Sequence, residues 1–131
     1  MNGGNSTFFA KQLASNRIHH IGKDFRKIKT FGLKPKFFKE PSNIPIEEVI
    51  KSLDATADFG SKTTWFRNFG YDETNRSLIL YNVNLYKESW YNRSMLNGEH
   101  YLQIYNSDYD CIFDDKVEGI FAFVSNGKFI N

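Results

Sequence analysis

A single cysteine, three prolines and no long apolar run set the first limits on this 131-residue chain. Cys111 has no second cysteine to pair with, which predicts a reducing, cytoplasmic setting without internal disulfides. No stretch approaches the roughly 20 apolar residues that cross a bilayer, so no membrane role is expected. The N-terminus has no basic start followed by a long apolar core, so no secretory signal is expected. GxGxxG and GxxxxGKS/T are absent, which removes support for those phosphate-binding loops. The GxSxG, HExxH and CxxC patterns of common hydrolases and zinc sites are absent too. There are no repeats or low-complexity tracts. The sequons at Asn5, Asn75 and Asn92 are chance matches in a chain rich in Asn and Ser.

Aromatic residues, by contrast, are plentiful. Thirteen Phe, seven Tyr and two Trp, within a hydrophobic fraction of 40%, supply ample core and argue against disorder. The net charge of +2 conceals a division. Residues 1–40 carry nine Lys and Arg against Asp24 and Glu40, net +7; residues 41–131 carry eight against thirteen Asp and Glu, net −5. A basic segment beside an acidic body suits nucleic-acid contact through the first, a basic partner for the second, or two differently solvated faces.

Residues 6–16 suggest a short helix capped by Ser6, with Phe9, Ala10 and Leu13 on one side. Residues 17–39 turn β-like, with Phe25, Phe31 and Leu33 in one parity and Lys27 and Lys29 marking an exposed basic edge. A helix is expected over about 45–58. Ser42 and Asn43 would cap it, Pro45 lies in its first turn, and Ile46, Val49, Ile50, Leu53 and Ala57 follow helical spacing. Gly60 is expected to stop it in the left-handed conformation. Strands dominate afterwards. Residues 63–71 and 77–85 flank a turn at 72–75, and in the second strand Ile79, Tyr81, Val83 and Leu85 are expected to face the core. Residues 86–99 read as a loop. Residues 101–105, 110–113 and 119–124 are further strands, and Asn126-Gly127 marks a turn before a last one. The sum is a single α+β domain over residues 1–131, with residues 1–5 frayed. Its antiparallel sheet would have four to six strands, mostly within residues 61–131, packed by the 45–58 helix and a short N-terminal helix.

Several constellations invite chemistry. His20 and His100, with the basic segment, would suit a small ribonuclease of general acid–base type; His19 beside His20 would point to the other face of a strand. Asp114-Asp115-Lys116 has the D-x-K form of metal-dependent nucleases, but no spaced upstream acid accompanies it. Residues 108–118 do not make a calcium loop, because Ile112 stands where a ligand belongs. Trp65, Phe66, Tyr71, Trp90 and Tyr91, with Arg67, Arg76, Lys87 and Arg93 nearby, would suit base stacking, although sheet aromatics usually form core. No cofactor or metal is expected. The acidic residues Asp108, Asp110, Asp114, Asp115 and Glu118, with Tyr105 and Tyr109 as anchors, form the candidate surface for a basic protein.

The order IPIEEVIKSL, GSKTTWFRNFGY, SLILYNVNLYKESWYN resembles a family of bacterial contact-dependent growth inhibition immunity proteins. The resemblance covers about residues 44–92. It implies a non-enzymatic protein that binds a cognate toxin domain, often a nuclease, and occludes its active site. The alternatives are the ribonuclease above and a nucleic-acid-binding module using the basic N-terminal segment.

Overall fold

The computed structural model describes residues 7–12, 15–94 and 97–118, and the backbone of 123–125 and 128–130. Strands β1 (Phe8–Lys11), β2 (Ile18–Ile21) and β3 (Lys27–Phe31) form one antiparallel sheet. Strands β4 (Trp65–Asp72), β5 (Ser77–Leu85), β6 (Gly98–Tyr105) and β7 (Cys111–Lys116) form a second, in chain order. A short hairpin joins β8 (Phe123–Ser125) to β9 (Lys128–Ile130). Three helices, α1 (Ile46–Val49), α2 (Leu53–Ser61) and α3 (Lys87–Asn92), complete an α+β fold. Residues 126–127, where a tight turn is expected, lie outside the described residues, as do 1–6.

The expected N-terminal helix is a strand. Phe9 of β1 lies in register with His20 of β2 and stacks on its ring at 4.5 Å, so cross-strand pairing overrides the weak local helical pattern. The expected 45–58 helix is broken in two. Ser52 caps the second piece, its side chain accepting from the Ala55 N–H, while Pro45 precedes α1 without a side-chain cap. The break leaves Val49 and Ala57 buried but Ile46, Ile50 and Leu53 exposed. Gly60 does not stop a helix in the left-handed region: it lies inside α2, and a Cβ there would meet Trp90 Cε2 at 2.1 Å. Its function is close approach between α2 and α3.

Neither parity of β5 faces solvent. Leu78 and Leu80 pack with Ile18 and Phe31 of the three-stranded sheet and with Tyr105, whereas Ile79 and Tyr81 pack with Leu102 on the opposite face. A strand buried on both faces is read as an alternating strand only if one face is assumed wet. The β2–β3, β4–β5 and β6–β7 hairpins each place a non-glycine residue in the left-handed conformation one or two residues before the return strand: Phe25 at φ 64°, Arg76 at φ 51° and Tyr109 at φ 66°. Within residues 86–99 the chain forms α3, with Arg93 at φ 53° ending it. Among the described residues no helix is long and apolar enough to cross a membrane.

Candidate functional site

Residues 33–39 form a strap across the face of the four-stranded sheet, and the sheet's side chains hold it by its backbone. The Leu33 N–H donates to the Tyr105 hydroxyl at 2.9 Å, and Gln103 Nε2 donates to Leu33 O at 3.3 Å. The Lys36 N–H donates to Asp114 Oδ2 at 2.9 Å, and Asn84 Nδ2 to Phe37 O at 2.8 Å. Lys39 N–H donates to Thr64 Oγ1 at 2.7 Å. Tyr105, Gln103, Asp114, Asn84 and Thr64 are therefore structural here: each compensates a backbone group of the strap.

The strap redistributes the expected acidic surface. Tyr105 is 1% exposed and cannot anchor a partner; that expectation is corrected, because its ring fills the core against Phe31 and its hydroxyl serves the strap. Tyr109 is half-buried. The left-handed turn folds its ring back onto Phe31 at 4.9 Å, and its hydroxyl bonds His20 Nδ1 at 2.8 Å. Asp114 lies opposite Gln103 in the ladder and is half-buried beneath the strap. Asp108, Asp110, Asp115 and Glu118 remain exposed. Asn106 shapes the turn that displays the first two, its Oδ1 accepting from the N–H groups of Asp108 at 2.9 Å and Asp110 at 3.0 Å. Asp115 has Lys36 Nζ at 3.9 Å.

Sequence reasoning missed the apolar part of this surface. Ile112 is 58% exposed and Phe113 38% exposed on β7, flanked by the exposed acids. A β-bulge explains the pair. Tyr105 pairs with Cys111 and Ile104 with Phe113, so Ile112 is the extra residue and both side chains escape the strapped face. The alternation Asp-Cys-Ile-Phe-Asp-Asp held the signal, since two adjacent apolar residues in an otherwise charged strand cannot both point inward. Cys111 packs against the core, and burial pushes its thiol up, with the Asp114 charge adding to the rise. It is held in the thiol form that reacts poorly.

The two histidines of the ribonuclease alternative do not meet. His20 packs on the strapped side, bonded to Tyr109 and, through Nε2, to Thr7 Oγ1 at 3.0 Å. His100 lies in register with Val83, on the opposite face, and bonds the Tyr81 hydroxyl. His19 points away from His20 and bonds Thr30 Oγ1 at 3.0 Å. Trp65 and Trp90 pack on one another at 5.6 Å, between sheet and helices, instead of forming an open stacking row. The Lys116 side chain of the D-x-K triplet is engaged by Glu99 at 3.1 Å and lies 4.7 Å over the Phe37 ring. Glu99, His100 and Lys116 line a cleft of about 330 Å³ between the start of β6 and the end of β7. Among the described residues no three His, Cys, Asp or Glu side chains converge as a metal site.

The buried tyrosines give the strapped face a pH signature. Burial pushes Tyr101 up to about 12, partly offset by the Thr64 hydroxyl, and pushes Tyr105 up to about 12, partly offset by the Leu33 N–H. An unfolded tyrosine loses its proton near pH 10, so between about 10 and 12 the unfolded state binds fewer protons and stability falls as pH rises. Alkaline unfolding followed by circular dichroism is expected in that window, with a shallower pH dependence in Tyr101→Phe. An unchanged slope would show that Tyr101 ionises without opening the fold.

Compared with known protein families, characterised proteins and solved structures, the chain matches none.

Proposed function

We propose that this protein is a non-enzymatic inhibitor of the immunity type, which binds a basic toxin domain, such as a nuclease, and covers its active site. The observation that carries the reading is the surface of β7 and its turn, where exposed Ile112 and Phe113 sit among Asp108, Asp110, Asp115 and Glu118. Apolar anchors with a charged rim are the ordinary anatomy of a protein interface. The acids steer a cationic partner and set its orientation, while desolvation of the two apolar side chains supplies affinity. A net charge of −5 over residues 41–131 favours the same sign of partner. The separation of His20 and His100 to opposite faces weighs against the ribonuclease alternative.

Titration against basic nuclease toxin domains, with residual nuclease activity as readout, tests the reading. The wild-type chain should abolish the activity of one such domain at stoichiometric ratio. Asp110→Lys/Asp115→Lys should weaken that inhibition by about a hundredfold, as reversal of two rim charges at an interface of two charged proteins costs several kcal/mol. Asp114 is left alone, because it holds the strap and its loss would confound folding with binding. Inhibition undiminished in the double variant would remove this surface. Failure to inhibit any domain encoded beside the gene would remove the function.

A further inference from the structure

Among the described residues the two larger sheets have four outer edges, and three of them are defended. On β3 the exposed Lys27 and Lys29 discourage pairing. β1 is only four residues long, and β4 lies against β8. The fourth edge, β7, runs six residues, and among the described residues no strand pairs with its outer side. Its single lysine, Lys116, is drawn back to Glu99 and the Phe37 ring.

Hydrogen bonding tells which groups of β7 face outward. The Val117 N–H donates to His100 O at 2.9 Å, toward β6. The Lys116 N–H instead donates to the Asp115 carboxylate at 2.8 Å, so it faces away from β6. Backbone groups alternate along a strand, so the N–H and C=O of Asp114 also face outward. The Asp115 carboxylate stands in at Lys116 for the carbonyl of a neighbouring strand, and such a carbonyl can replace it.

From this geometry, and resting on the inhibitor reading for the sign of the partner's charge, we propose that an extended basic segment of the partner adds to β7 as a fifth strand. Main-chain bonds at Asp114 and Lys116 would fix its register, and Ile112 and Phe113 would receive its apolar side chains. A second copy of this chain is the disfavoured occupant, because pairing β7 with itself sets Asp110, Asp115 and Glu118 against like charges.

The test uses the full chain, a capped peptide of alternating valine and lysine, and a control peptide of alternating valine and glutamate, at low salt. The basic peptide should bind and slow hydrogen exchange at the Asp114 and Lys116 amides; the acidic one should not bind. Lys116→Pro removes one outward N–H that the ladder to β6 does not use, whereas Lys116→Ala keeps it. The proline variant should bind the basic peptide about tenfold more weakly than the alanine variant, the effect of one lost hydrogen bond. No binding of the basic peptide, equal affinity of the two variants, or equal binding of the acidic peptide would overturn strand addition. If Lys116→Pro does not fold, amide exchange in the wild type decides: an Asp114 amide unprotected at saturating peptide overturns the proposal. A toxin domain inhibited equally by the proline and alanine variants would overturn strand addition and leave the inhibitor reading standing. Peptide addition to β7 with no toxin domain inhibited would overturn the inhibitor reading alone.

Discussion

Ile18→Ala is expected to lower the stability of the whole described fold by about 3 kcal/mol, in one cooperative transition. Ile18 is fully buried at the junction of the two larger sheets, packed with Phe31 from β3, Leu78 and Leu80 from β5, and Tyr105 from β6. Removing three carbons there loses their transfer free energy and leaves a cavity between two sheets that cannot slide together, because the strap bonds fix their spacing. Against a total stability of about 5–15 kcal/mol this is a large fraction. Trp65 and Trp90 lie on the far elements β4 and α3, so their fluorescence reports the second sheet while circular dichroism reports both. Coincident, equally shifted denaturant midpoints are the expected result. A shift confined to part of the dichroism signal, with the tryptophan midpoint unmoved, would mean that the basic N-terminal segment is an independently folding arm. That outcome would restore the nucleic-acid alternative, since a free basic arm is what it requires.

The second large effect concerns Gly60. Inside a helix, alanine is favoured over glycine by about 1 kcal/mol. Here a Cβ would lie 2.1 Å from the Trp90 ring, far inside van der Waals contact, and overpacking of this kind costs about 1–3 kcal/mol. The clash wins because the ring is not a flexible tip: its neighbour Trp65 is itself fastened, donating from Nε1 to Gly60 O at 2.9 Å. Gly60→Ala is therefore expected to destabilise by about 2 kcal/mol. The decisive comparison is the same substitution in a Trp90→Leu background, where the loss should vanish or turn into a small gain. A loss that persisted without the ring would show that the cost does not come from the contact with Trp90.

The elements of the C-terminal half were legible because their signals are local. Residues 77–85 are mostly apolar, include Ile79, Tyr81 and Val83, follow a turn, and form β5 at those limits. The turn before it is built on Asp72, whose Oδ1 accepts from the N–H groups of Thr74 and Asn75. The helix expected at residues 6–16 gives way to a strand because Phe9 satisfies either period, and only its partner His20 in the neighbouring strand decides between them. The surroundings of Tyr105 and Tyr109 are hidden from the sequence for a related reason. Nothing in their neighbours along the chain announces the strap at 33–39 or the return of the Tyr109 ring to Phe31.

What the sequence determined by itself is the class of fold, the antiparallel hairpins, the division of charge and the absence of common catalytic signatures. These depend on side-chain period, turn chemistry and composition, all of which act over a few residues. Tertiary structure alone decided which acids remain in solvent, because Asp114 turns inward to bind a backbone N–H 78 residues away while Asp115 does not. It also decided that both faces of β5 are buried and that one bulge at Ile112 turns an aliphatic and an aromatic side chain outward. Each of these turns on a contact between residues far apart in the chain, and such contacts leave no period for a single sequence to reveal.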